Sequence, residues 1–190
     1  MNINERLDNL KIRIQQPDFL KGEGLSNEVG IWFFCYKPED EMIVRDFTEK
    51  LVVNQGLGCR LIEKNLYSVL MDLCADLDIT DAIPEIEQDD GKLFLLEQLH
   101  SAIGVEAYVN KIYFEPQVRG QDVLLLTGVG DVFPFMRVHN LLEALQPRFS
   151  DIPILVMYPG NFNGTYTQLF NRLKPNPYYR AFNLIDGGNE

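Results

Sequence analysis

The sequence predicts an α/β protein, a three-layer sandwich built on a mostly parallel sheet of about five strands, with a helical insert over residues 79–118. Three observations carry that prediction. Val123, Leu124, Leu125 and Leu126 form an unbroken apolar run, the pattern of a parallel strand covered on both faces. Gly128 and Gly130 follow at once and let the chain turn sharply toward a helix. Ile152 to Tyr158 repeats the arrangement, a second buried strand leading into the glycine-bearing stretch Pro159 to Gly164, and strand-like runs alternate with helical spacing before it.

Taken in order, Ile3, Leu7, Leu10 and Ile14 recur at three- and four-residue steps and predict an amphipathic helix that stops at Gln16, before Pro17. A loop holding Gly22 and Gly24 leads to Ile31-Trp32-Phe33-Phe34-Cys35-Tyr36, an aromatic run of strand character. Pro38 and the acids Glu39, Asp40 and Glu41 suit the first turn of a helix, whose apolar stripe continues through Ile43, Phe47 and Leu51 to an end near Gly56. Arg60 to Asn65 reads as a weaker strand, and Leu66 to Leu77 returns to helical spacing. From Ile79 to about Val118 the pattern is helical without a clear strand, with a break expected at Asp89-Asp90-Gly91. After the Val123 strand, Pro134 should open a helix marked by Phe135, Val138, Leu142 and Leu145 that closes around Pro147. Leu169 and Phe170 suggest a short helix, and Tyr178 to Leu184 a last strand before a polar tail.

The composition excludes several classes of function. A chain of 190 residues with 46% hydrophobic content suits a single domain with a substantial core. Seventeen Lys and Arg against 28 Asp and Glu give a formal charge of −11, which repels nucleic acid and anionic membranes, so no direct nucleic-acid binding is expected. No apolar run approaches the roughly 20 residues that span a bilayer, and the N-terminus lacks a signal-peptide core, so a cytoplasmic protein is expected. Cys35, Cys59 and Cys74 lack CxxC spacing and read as buried free thiols.

In such a sheet the ligand edge lies beyond the carboxyl ends of the strands. The polar inventory there is Lys37, Asp40, Thr127, Asp131, Asn161 and Asn163, with Arg137 nearby and Gly128, Gly130 and Gly160 in the turns. Backbone amides around Gly128 and Gly130 could hold an anion, although tight-turn geometry explains both glycines equally well. Nucleotide signatures fail letter by letter. Gly91-Lys92 is followed by Leu93 and position 86 is Ile86, so there is no phosphate loop, and TGVGDV is not GxGxxG. A nucleotide hydrolase would place a metal-binding Asp where Thr127 stands. His100 and His139 belong to no metal pattern, and His139 with Glu143 reads as a surface pair. There is no GxSxG elbow. Tyr178, Tyr179, Arg180 and Phe182 could stack bases, but the net charge favours packing. No catalytic residue, metal or cofactor is expected.

Five stretches occur together in an order and spacing that resemble one family: ERLDNL at residues 5–10, FLKGEGLSNEVGIWFFCYKPEDE at 19–41, LLLTGVGDVFPFMRVHNLLEALQP at 124–147, ILVMYPGNFNG at 154–164 and RLKPNPYYRAFNL at 172–184. The chain resembles the BrxB family, small components of bacterial BREX phage-defence systems. That resemblance implies membership of an assembly that methylates host DNA at specific sites and blocks phage replication, with methylation, ATP hydrolysis and a phosphatase-like activity residing in other components. It brings no catalytic residues. An adaptor or scaffold that contacts the phosphatase-like protein or the large ATPase is the leading expectation, through apolar anchors on the insert or the Phe133 to Phe135 loop. A module that senses a nucleotide or other anion at the glycine loops is the alternative, and a cryptic metal-dependent enzyme such as a nuclease is a third. A homodimer through the insert is left open.

Overall fold

A computed structural model describes residues 1–23, 30–178 and 180–185. Five parallel strands, β1 (Ile31–Tyr36), β2 (Arg60–Asn65), β3 (Asp122–Thr127), β4 (Ile154–Phe162) and β7 (Phe182–Asn183), lie side by side in the order β2-β3-β4-β1-β7. β4 then continues past the sheet and pairs antiparallel with β5 (Tyr166–Leu169), which pairs antiparallel with β6 (Asn176–Pro177). The sheet is thus parallel at its centre and mixed at one end.

Alternation along the strands sorts the helices onto two faces. Val123 and Leu125 of β3, Leu155 and Met157 of β4, and Phe34 and Tyr36 of β1 meet α1 (Ile3–Arg13), α2 (Pro17–Lys21) and α3 (Glu41–Val52). Leu124 and Leu126, Ile154 and Val156, and Ile31 and Phe33 face the other way. They pack against α4 (Leu66–Asp76), α6 (Lys92–Ala102), α7 (Val105–Ile112), the single turn α8 (Val129–Val132) and α9 (Val138–Leu145). Between α4 and α6 stands α5 (Ile83–Asp90), which has no buried residue. Every residue of β3 is buried, as its apolar run requires.

Four expectations are corrected. Residues 17–21 form a short helix that opens on Pro17, because a proline whose N–H would be unused anyway fits the first helical position. Pro134 does not open the helix after β3: the chain first makes α8, and the eight-residue helix α9 starts at Val138. The stretch from Pro159 to Phe162 is strand and not loop. Pro159 falls at the last β1 pairing position, where no further ladder donor is needed, and Gly160 lets β4 approach β5 closely. An added Cβ at Gly160 would lie 2.2 Å from the Gln168 carbonyl oxygen. Leu169 ends β5 and is not helical. The last strand is two residues long, and Tyr179, Gly24 and the tail over 186–190 lie outside the described residues. Of the cysteines, all free, Cys74 alone is fully buried, and Cys35 and Cys59 are half-buried.

Candidate functional site

A cleft of about 120 Å³ opens between α3 and the carboxyl ends of β2, β3 and β4. Strand periodicity builds it. On β2, Leu61 packs toward α3, so Glu63 and Asn65, two and four residues on, share that face and line the cleft. Thr127 reaches the same wall from β3 by the same rule, following Val123 and Leu125. From α3 come Glu41, Val44, Arg45, Thr48 and Glu49, and Tyr36 of β1, Met157 of β4 and Gly128 complete the lining.

These groups are bonded mainly to one another. The Thr127 hydroxyl donates to Glu63 Oε1 at 2.7 Å. Asn65 Oδ1 accepts from the backbone N–H groups of Tyr67 and Ser68 at 3.0 and 3.1 Å, capping α4. Tyr36 donates to Glu41 Oε2 at 2.8 Å, and Arg45 bridges Glu41 at 3.1 Å and Asp131 at 2.8 Å, tying α3 to the turn after β3. Burial raises the Tyr36 pKa well above the ordinary tyrosine value, and the Glu41 charge adds to it, so this hydroxyl stays protonated and donating. The hydrogen bond to Glu41, with the charges of Asp131 and Glu41, raises the Arg45 pKa. Thr48 donates to the Val44 carbonyl at 2.7 Å. Glu49 has no bonded partner among the described residues.

The sequence-derived residues scatter around this cleft. Thr127 and Gly128 line it and Asp131 stands at its rim. Gly128 takes φ +68°, and a Cβ there would lie 2.6 Å from Asn65 Oδ1; at Gly130 a Cβ would lie 2.9 Å from the Phe170 ring. Both glycines therefore answer packing needs. Arg137 belongs to a different hollow of about 30 Å³, shared with His139, Tyr158 and Leu169. Lys37 precedes the 3₁₀ turn Pro38–Asp40, and Asp40 closes that turn. Gly160 and Asn161 lie within β4, where Asn161 pairs with Gln168. Asn163 is spent on its own turn, accepting from the N–H groups of Thr165 and Tyr166 at 3.0 and 2.8 Å. His139 is half-buried, with no hydrogen bond to Glu143 among the described residues; burial and then Arg137 lower its pKa, and Glu143 opposes them.

Sequence reasoning missed Glu41, Arg45, Glu49, Glu63 and Asn65. The signal was present in the four-residue step from Glu41 to Arg45 and in the two-residue step from Glu63 to Asn65 at a strand end. Glu41, Glu49 and Glu63 face a single guanidinium, so the cleft is electrostatically poor for a phosphate. Among the described residues no three His, Cys, Asp or Glu side chains are grouped to hold a metal ion. Nor is any described helix long and apolar enough to cross a membrane.

On the same edge, Arg6 of α1 is buried over the Phe34 ring, 4.9 Å from its centroid, and donates to the Cys35 carbonyl at 2.6 Å. Its Nε has no partner among the described residues. Burial lowers the Arg6 pKa against the opposing pull of Cys35 and Asp40, though a guanidinium stays charged. It fastens α1 to the end of β1.

The family described as BREX protein BrxB matches residues 62–184. A BREX protein BrxB of Bacillus cereus (strain H3081.97) is 34% identical over 190 residues, covering 97% of this chain and 98% of that protein. The chain belongs to the BrxB family. A second BREX protein BrxB, of Escherichia coli O9:H4 (strain HS), is 28% identical over 180 residues, covering 95% of this chain and 90% of its own. No solved structure matches. BrxB membership gives the chain a role in the BREX phage-defence system, with partners among other BREX components. The BrxB match runs from within β2 to β7, including the Thr127 and Gly128 wall of the cleft.

Proposed function

We propose that this BrxB-family chain is a non-catalytic adaptor of the BREX assembly. It supports site-specific host DNA methylation and phage restriction through contacts with the phosphatase-like protein or the large ATPase. The observation that carries this reading is the state of the carboxyl-edge cleft. Apart from Glu49, each polar side chain that lines it is bonded within the chain. Catalysis needs a nucleophile or base aimed at space a substrate can enter. Here the hydroxyls and carboxylates hold α3 and the strand ends together instead.

The test is co-expression of tagged chain with its native gene neighbourhood, followed by size-exclusion chromatography with light scattering at high salt, which removes charge-driven contaminants. A stoichiometric complex with the phosphatase-like or ATPase component is expected. Elution of the chain by itself, or metal-dependent nuclease turnover by the purified chain that is lost in Glu49→Gln, overturns the adaptor reading.

A further inference from the structure

The α5–α6 hairpin carries an apolar surface that the other described residues leave uncovered. α5 has no buried residue, and its Ile83 and Ile86 are only partly covered. In α6, Leu95 and Leu99 face the core, whereas Leu93 is 72% exposed and Phe94 is 41% exposed. Leu93, Phe94, Leu95 and Leu96 stand in succession after Lys92, so the turn they form has apolar groups on every side. Apolar groups on the outer side of a surface helix are ordinarily replaced by polar ones. Here its outer side faces solvent.

Charge around this surface narrows what can cover it. Residues 81–102 hold six carboxylates, Asp81, Glu85, Glu87, Asp89, Asp90 and Glu97, against one lysine, Lys92. Among the described residues none of the six has an ion-pair partner. Glu85 and Asp89, four apart on α5, are a like-charge pair that a cationic neighbour would relieve. A second copy would bring the same −11, and nucleic acid would bring phosphates, so both are repelled.

We propose that the α5–α6 hairpin docks a different protein through a basic surface with an apolar recess for Leu93 and Phe94. This rests on the adaptor reading and names the face that performs it. The two apolar side chains anchor the complex, and the carboxylates orient the approach and speed encounter.

The full chain is co-expressed with the phosphatase-like and ATPase components of its own gene neighbourhood, and complex recovery is measured at low and high salt for four forms. These are the unsubstituted chain, Leu93→Glu with Phe94→Glu, Glu85→Lys with Glu87→Lys and Asp89→Lys, and Met42→Glu with Ile43→Glu. Met42 and Ile43 are exposed apolar residues of α3, outside the hairpin. Recovery should fall about tenfold or more with the anchor pair replaced. The charge-reversed form, whose altered side chains are all exposed, keeps its fold and should lose recovery most at low salt. The α3 form should retain the component. Retention by both hairpin forms, or loss through the α3 form alone, overturns the hairpin while the adaptor reading stands. Recovery of the unsubstituted chain by itself overturns both.

Discussion

Replacing Gly128 by Ala should destabilise the chain through a side chain at the end of the neighbouring strand, β2. Gly128 sits at φ +68°, where an L residue costs roughly 1–2 kcal/mol. The new Cβ would lie 2.6 Å from Asn65 Oδ1, and that oxygen is held by the N–H groups of Tyr67 and Ser68 at 3.0 and 3.1 Å. Asn65 must therefore swing away and release the cap of α4, which costs about 1 kcal/mol more. The expected loss is about 2–3 kcal/mol, or about 4–12 °C in Tm for a chain of this size. Urea unfolding followed by Trp32 fluorescence reads it, since this sole tryptophan packs against Phe19 and Phe182. Asn65→Ala alone should cost about 1 kcal/mol. In the double variant the cap is lost only once, so its cost should fall short of the sum by about 1 kcal/mol. Additivity within about 0.5 kcal/mol, or a neutral Gly128→Ala, would refute the claim that Gly128 exists to make room for Asn65.

Asp122→Ala should cost about 3 kcal/mol, because Asp122 is fully buried, takes two hydrogen bonds from Arg60 at 2.8 and 2.6 Å, and accepts from the Val118 N–H at 2.8 Å. Burial pushes its pKa up, but the Arg60 and Val118 bonds outweigh that and hold it below the ordinary value. Its stabilising contribution is thus complete above about pH 4 and lost as pH falls through the lowered value, and a stability profile of Asp122→Asn with an unchanged acid limb would count against this. Gly160→Ala should cost about 3 kcal/mol or more, since its Cβ would sit 2.2 Å from a backbone oxygen that β4 and β5 pairing holds in place; a melt within a degree of the parent would contradict that. ATP, GTP or pyrophosphate should leave Tm unchanged, as the cleft presents three carboxylates to one arginine. Binding at a hundred times Kd would add about 2.7 kcal/mol, so a saturable rise of several degrees would revive an anion site at Gly128 and Gly130.

The fold was legible wherever a local pattern had one tertiary use. The apolar run of β3, the aromatic run of β1 and the three- and four-residue steps of α1 and α4 each predict their element, and all four form. Prediction failed where a residue's usual local meaning was overridden by a neighbour distant in sequence. Pro159 and Gly160 read as a loop, yet Gln168 and Phe170 supply the pairing that keeps β4 extended, with Phe170 donating to the Pro159 carbonyl at 2.8 Å. Asn163 Oδ1 accepts from the N–H groups of Thr165 and Tyr166, a local turn contact that its place in the sequence does not announce.

The cleft shows the same division. Its Gly128 and Thr127 stand out in the sequence because they interrupt or end an apolar run, and the family motifs are themselves contiguous stretches. Glu41, Arg45 and Glu63 do not, since exposed helix starts and strand ends carry such residues routinely. What sequence alone determined was the α/β class, the parallel centre and the BREX kinship, because hydrophobic periodicity and motif order are local properties of the chain. Only tertiary structure decided that Arg45 meets Asp131 across 86 positions and that Thr127 meets Glu63 across 64. Those pairings depend on strand order and register, which place residues together by the sheet's geometry and leave no trace in the spacing between them.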